Sequence, residues 1–184
     1  MPKARFKWNS DKLVSLSAIS ISFITLLIFI YQTNLMRRQN SISIMPYLGL
    51  STTNNTPESN FELLLKNHGV GPAIIESVEL EYQGKKYELA DYENHLFTLL
   101  QAIEPALDSV RYVSSSSLER GMAIPANTVY TVFSVRGSEE DYRLITENLQ
   151  RLLEEGLDYE ITYRSIQGER WRLYNNSEGP ERLE

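Results

Sequence analysis

The 184-residue chain contains no cysteine and only two histidines, His68 and His95. The first absence excludes disulfide scaffolds, thiolate zinc sites, iron–sulfur clusters and thiol nucleophiles. The second leaves no histidine-rich metal centre to build, and no cofactor is expected. Basic residues are outnumbered, 18 Lys and Arg against 24 Asp and Glu, and they are unevenly placed. Beyond Arg38 there are 12 basic and 23 acidic residues, a net charge of −11. Phosphate backbones and anionic head groups repel such a surface, and no basic stripe with interleaved aromatics offsets it, so bulk nucleic acid is not an expected partner. The length allows one ordinary domain and an appendage.

The appendage lies at the N-terminus. No charge occurs between Lys12 and Arg37, a gap of 24 residues, or about 36 Å of helix at roughly 1.5 Å per residue. The apolar core of this gap runs from Leu13 to Tyr31. It is longer than the apolar stretch of a signal peptide and continues into a polar segment without a small-residue cleavage site, so we expect an uncleaved transmembrane helix over about residues 13–33. Lys3, Arg5, Lys7 and Lys12 precede it and Arg37 and Arg38 follow. That bias of four to two favours a cytoplasmic N-terminus and an external C-terminal domain. Trp8 and Tyr31 stand where interfacial aromatics usually lie.

Within the helix, Ser15, Ala18, Ser22 and Thr25 recur at intervals of three and four and form one small, polar stripe. Such a stripe suits helix–helix association, and therefore a homo-oligomer. Two other readings stay open: hydroxyls bonded back to their own helix and facing lipid, and a stripe that lines a pore.

The remainder alternates like a β domain. Ile42 and Ile44, then Tyr47 to Leu50, predict a strand about Pro46, followed by a loop over residues 51–60. Residues 61–67 form a second strand, 68–73 a glycine-containing turn, and 73–83 a third strand. A hairpin about Gly84 leads to a short fourth strand. Leu96, Leu99, Leu100 and Ile103 then carry helical spacing up to Pro105. Two further strands are expected at Val110–Val113 and Val129–Val135. Ser138, with Asp141 three residues on, opens a second helix whose apolar positions are Tyr142, Ile145, Leu149, Leu152 and Leu153. A final hairpin spans residues 158–174. This is a mainly β layout of about seven strands with two helical insertions, best accommodated by an antiparallel sandwich. Residues 1–38 form the basic N-terminus, membrane helix and neck, 39–174 the domain, and 175–184 a polar tail expected to be mobile.

The segment Asn67-His68-Gly69-Val70-Gly71-Pro72-Ala73, preceded by a neck with Arg37, Arg38 and Asn40 and a strand with Pro46, Tyr47 and Leu48, resembles a group of uncharacterised bacterial single-pass membrane proteins. Their domain is an immunoglobulin-like β-sandwich carrying an Asn-x-Gly-x-Gly-Pro-Ala motif. The resemblance implies that fold, a membrane anchor and a bacterial inner-membrane location. It implies no activity.

Chemistry is sparse. Asn67, Gly69, Gly71 and Pro72 support two readings: a structural turn, or a ligand loop whose exposed amides cradle a small anion, although a phosphate-loop lysine and serine are absent. The carboxylate pairs Asp91/Glu93, Glu139/Glu140 and Glu154/Glu155 sit in loops or at helix ends and read as solvated surface. The serine run 114–117 has no nucleophile-elbow glycines. Tyr159, Tyr163, Trp171 and Tyr174 concentrate in the last hairpin, where they pack a core or edge or offer a partner surface. The expected function is therefore a non-catalytic, membrane-anchored module that binds a protein partner or a second copy. An oligomeric, membrane-disrupting effector of anti-phage defence and a membrane-tethered enzyme are the alternatives.

Overall fold

The computed structural model of the chain describes residues 10–183. Lys3, Arg5, Lys7 and Trp8, used above for orientation, lie outside them. The chain divides into two compact units at Ile42/Ser43.

The first unit is built on helix α1, Ser10–Ser43. Its stretch Ser10–Arg37 is long and apolar enough to cross a membrane, and none of its most apolar window is buried by protein. A core helix of a water-soluble protein buries that face. The helix corrects one expectation: Ile42 belongs to its last turn, so the Ile42/Ile44 alternation does not mark a strand.

Among the described residues, the second unit contains ten strands. The first eight are β1 (Leu48–Asn55), β2 (Asn60–Asn67), β3 (Ala73–Tyr82), β4 (Lys85–Glu88), β5 (Val113–Ser115), β6 (Ala123–Ile124), β7 (Thr128–Val135) and β8 (Asp158–Arg164). The last two are β9 (Arg170–Tyr174) and β10 (Glu181–Leu183). All pairings are antiparallel, in two sheets of order β1-β2-β7-β5 and β10-β9-β8-β3-β4, with β6 paired to β3. Three expectations change here. The polar run 51–55, read as loop, is strand because β2 pairs with it throughout. The strand expected from Val110 begins only at Val113, because residues 105–109 form a 3₁₀ turn opened by Pro105. The tail is not free, since Glu181–Leu183 adds to β9.

Local chemistry explains the boundaries. Gln83 and Gly84, both at positive φ, make the tight turn between β3 and β4 that twisted hairpins require. Helix α2 (Leu96–Ile103) stops before Pro105. Helix α3 (Glu139–Glu154) starts where the Ser138 hydroxyl accepts the Asp141 amide at 3.1 Å, with three acidic residues in its first turn.

Both sheets and both helices feed one core. Leu48, Phe61, Leu63, Leu65 and Phe133 come from the first sheet; Ile75, Val78, Leu80, Ile161, Tyr163 and Trp171 from the second; Phe97, Leu99, Ile145 and Leu152 from the helices. Phe133 lies between Phe61 and Phe97, with ring centroids 5.8 and 5.4 Å away.

Candidate functional site

The most densely bonded polar residue is Asn67, which is 1% exposed. Its side-chain oxygen accepts the Tyr47 amide at 3.1 Å and the Gly69 amide at 2.9 Å. Its side-chain nitrogen donates to the Gly71 carbonyl at 2.9 Å and the Ile124 carbonyl at 3.0 Å. The carboxamide has no capacity left. Around it, the His68 amide donates to the Tyr47 carbonyl at 2.8 Å, and the Val70 and Gly71 amides both donate to Met45, at 3.1 and 3.4 Å. Residues 67–73 therefore lead the chain from one sheet to the other while binding the segment Met45–Tyr47. The amides of residues 68–71, which an anion loop would offer to a ligand, are all occupied by protein acceptors.

The glycines are required by this close approach. A Cβ at Gly69 would stand 2.5 Å from the Tyr47 nitrogen, and one at Gly71 would stand 2.5 Å from the Ile44 carbonyl carbon. Neither residue is at positive φ, so the demand is for space rather than for a left-handed backbone.

The stripe residues of α1 are also bonded internally. Ser15, Ser22 and Thr25 donate to the carbonyls of Asp11, Ala18 and Ile21, each at 2.8 Å, and Ala18 takes part through its carbonyl. These bonds satisfy the hydroxyl protons within the helix.

One pair distant in sequence meets: His95 Nδ1 and the Ser115 hydroxyl are 3.2 Å apart. In serine hydrolases the nucleophile pairs with Nε2 while Nδ1 is held by an acid, so the pairing is reversed here. His95 also forms a β-bridge with Ser117, and neither His95 nor Ser115 lines any of the clefts described below. His68 is exposed. Among the described residues, no group of three or more His, Asp or Glu side chains could hold a metal ion. Tyr163 and Trp171 of the last hairpin are buried and stacked at 6.0 Å, whereas Tyr174 stays partly exposed.

The feature that sequence reasoning missed is a cleft of about 620 Å³. Its wall on one side is β1, through Leu50, Ser51 and Thr52, and on the other Leu80 of β3 with Leu157, Asp158 and Tyr159. Leu63, Leu96 and Leu100 line it from β2 and α2, and Leu149 and Leu153 from α3. Eight leucines and a single charged residue, Asp158, thus border a space open to solvent. Leucines from six separate segments compose it, so no local run announces it. Through Leu80, Asp158, Tyr159, Asn175 and Asn176 the cleft adjoins a second one of about 420 Å³, which adds Glu79, Glu81 and Glu160 against Lys86 and Arg172. Arg172 is committed to Glu181 at 2.7 Å and Glu160 at 3.6 Å. A third cleft, of about 640 Å³ and polar, lies along β3 beside Glu76, Arg120 and Arg170.

The chain matches no protein-family model and no curated protein sequence.

Proposed function

We propose that the chain is a non-catalytic recognition module anchored by α1 in a bacterial inner membrane, with its N-terminus in the cytoplasm and its β domain outside. The four-to-two excess of basic residues before the helix supports this orientation. For the domain we propose an immunoglobulin-like sandwich. The order β1-β2-β7-β5 has the A-B-E-D arrangement of such domains, and β9-β8-β3 has the G-F-C arrangement, with α3 in the E-to-F connection. That order also favours kinship with the membrane proteins that share the Asn67–Ala73 motif.

The single observation that carries the recognition reading is the leucine-lined cleft. A folded domain normally closes over apolar surface of this kind, and a contiguous open apolar space marks a place where a partner is bound. Leu153, half exposed at its mouth, is a side chain that a partner would cover.

The reading is tested with photoreactive residues placed singly at Leu153 and at Tyr112 and Val129, two exposed apolar side chains away from the cleft, in the full chain in intact membranes, followed by irradiation. A discrete adduct from at least one position is expected. Absence of any adduct from all three, or recovery of the chain in the water-soluble fraction, would sink the proposal.

A further inference from the structure

We infer that the free edge of β1 takes up a strand from another protein, an extended peptide whose alternate apolar side chains fill the leucine cleft and whose basic residues lie toward Glu79, Glu81 and Asp158. The inference rests on the recognition reading and names the occupant of that site.

The two sheets have edges of very different character. β5 is three residues long, β4 carries Lys85, Lys86 and Glu88, and β10 carries Glu181 and Arg182. Short length and charge are the usual devices that keep a sheet edge from pairing with another chain. β1 has neither. It is eight residues long, LGLSTTNN, without a charge or a proline, and its register with β2 is unbroken from Leu48↔Asn67 to Asn55↔Asn60.

Its hydrogen-bonding groups have a definite direction. The Tyr47 carbonyl accepts from His68 on the β2 side, whereas the Leu48 amide turns the other way and donates to the Tyr163 hydroxyl at 3.3 Å. Antiparallel strands alternate residue by residue, so Gly49, Ser51 and Thr53 bond β2 while Leu50, Thr52 and Asn54 point their N–H and C=O groups outward. Among the described residues, no backbone partner meets those outward groups. They form a ready ladder for one more strand.

The side chains agree. Leu50, Thr52 and Asn54 stand opposite Leu65, Leu63 and Phe61, on the face turned to the core. Their three partners are buried, yet Leu50 is only half-buried and Thr52 and Asn54 are exposed. The core face of the sheet is thus uncovered at Leu50 and Thr52, over the cleft, while the Asn54 side chain accepts a hydrogen bond from the Tyr142 hydroxyl of α3. An added strand would place every second side chain there, three from a segment of about five residues.

Charge selects the partner. The cleft holds Asp158 as its only charged lining residue, and the adjoining space adds three glutamates against two basic groups. A second copy is a poor occupant: its β1 would offer Thr52 and Asn54 to a leucine-lined space and bring two domains of like net charge together. A basic, alternately apolar segment of a different protein meets both requirements.

The full chain in detergent micelles, panned against a displayed library of random peptides about ten residues long, tests the inference. Selected sequences are expected to alternate apolar and polar residues and to carry Lys or Arg at one end. A synthetic copy should lose about tenfold or more in affinity on Thr52→Pro, which removes an outward amide and spares the ladder to β2. Leu153→Lys, on α3 and outside the strands, should weaken binding comparably and serves if Thr52→Pro unfolds. No selection, selection without alternation, or binding indifferent to both folded variants would overturn the inference. So would a dimer that Thr52→Pro converts to monomer, which would assign the edge to a second copy. Photoadducts from Tyr112 or Val129 with none from Leu153 would remove this groove and leave the recognition reading intact.

Discussion

The Leu48 amide donates to the Tyr163 hydroxyl at 3.3 Å, a bond that ties the first strand of one sheet to a strand of the other. Tyr163 is fully buried and stacked on Trp171, and its burial holds the phenol pKa well above the ordinary tyrosine value. A folded-state pKa raised above the unfolded value of about 10 favours the folded state below that pH, and the advantage is lost as pH climbs toward the folded value. We expect urea stability of the full chain in micelles to decline above about pH 10. Tyr163→Phe should cost about 1 kcal/mol at neutral pH by orphaning the Leu48 amide, and should flatten the alkaline decline. Tyr159, raised by its own burial, retains part of the slope. An identical slope in Tyr163→Phe would show that the phenol is not the group responsible.

Asn67 concentrates four hydrogen bonds in one buried carboxamide. Asn67→Ala leaves two amides and two carbonyls without their partner, and the loss is expected to be about 3 kcal/mol or more. Asn67→Asp is more informative. A carboxylate still accepts from Tyr47 and Gly69 but faces the Gly71 and Ile124 carbonyl oxygens, so the charged form is disfavoured and the carboxyl pKa should rise. The variant should be weak at pH 7 and regain stability, relative to wild type, as pH falls and the acid becomes a donor. Chemical denaturation at pH 4.5 and 7.5 checks this, and an unchanged difference between the two pH values would contradict it.

Gly71 and Gly84 separate space from backbone conformation. A methyl at Gly71 meets the Ile44 backbone, whereas one at Gly84 meets nothing within 4 Å but sits at φ +75°. Gly84→Ala should cost about 1 kcal/mol, the ordinary penalty for a left-handed alanine. Gly71→Ala should cost more and free the Ile44–Tyr47 segment, read as faster amide exchange at Val70 and Gly71, whose amides donate to the Met45 carbonyl. Equal costs with unchanged exchange would mean that the close approach is not a constraint.

These residues also show what sequence could carry. α1, β2, β7 and α3 were legible because each has a long apolar pattern of one period, and the Ser138 cap marked the start of α3. β1 was half legible. Leu48 and Leu50 signalled it, but Ser51 to Asn55 are polar because that edge faces solvent, and the pairing with β2 that makes them strand is invisible locally. β10 is hidden for the same reason, and Ile42 with Ile44 reads as strand although an alternating pair also fits a helix turn. The Asn67–Ala73 motif was legible as a special turn, though not as the holder of Met45–Tyr47, which requires knowing that two segments 20 residues apart adjoin. Asp141 looked like a helix-start residue. It is also 5% exposed and accepts the Arg111 and Tyr112 amides at 3.0 and 2.7 Å, a role no spacing announces.

Orientation decides which partners can reach β1. Basic residues near the ends of a span bias its insertion, and here four stand before α1's apolar core and two after. A reporter active only outside the cytoplasmic membrane, fused after Glu184, should therefore be active, while one that folds only in the cytoplasm should be dark. Replacing Lys3, Arg5 and Lys7 together by glutamine leaves one basic residue before the core against two after it, and should move a substantial fraction of the reporter to the cytoplasmic side. Because acidic residues contribute little to this bias, the −11 charge beyond Arg38 does not alter the expectation. A cytoplasmic reporter in the unaltered chain would reverse the proposed orientation and direct the search for the β1 strand donor to proteins inside the cell.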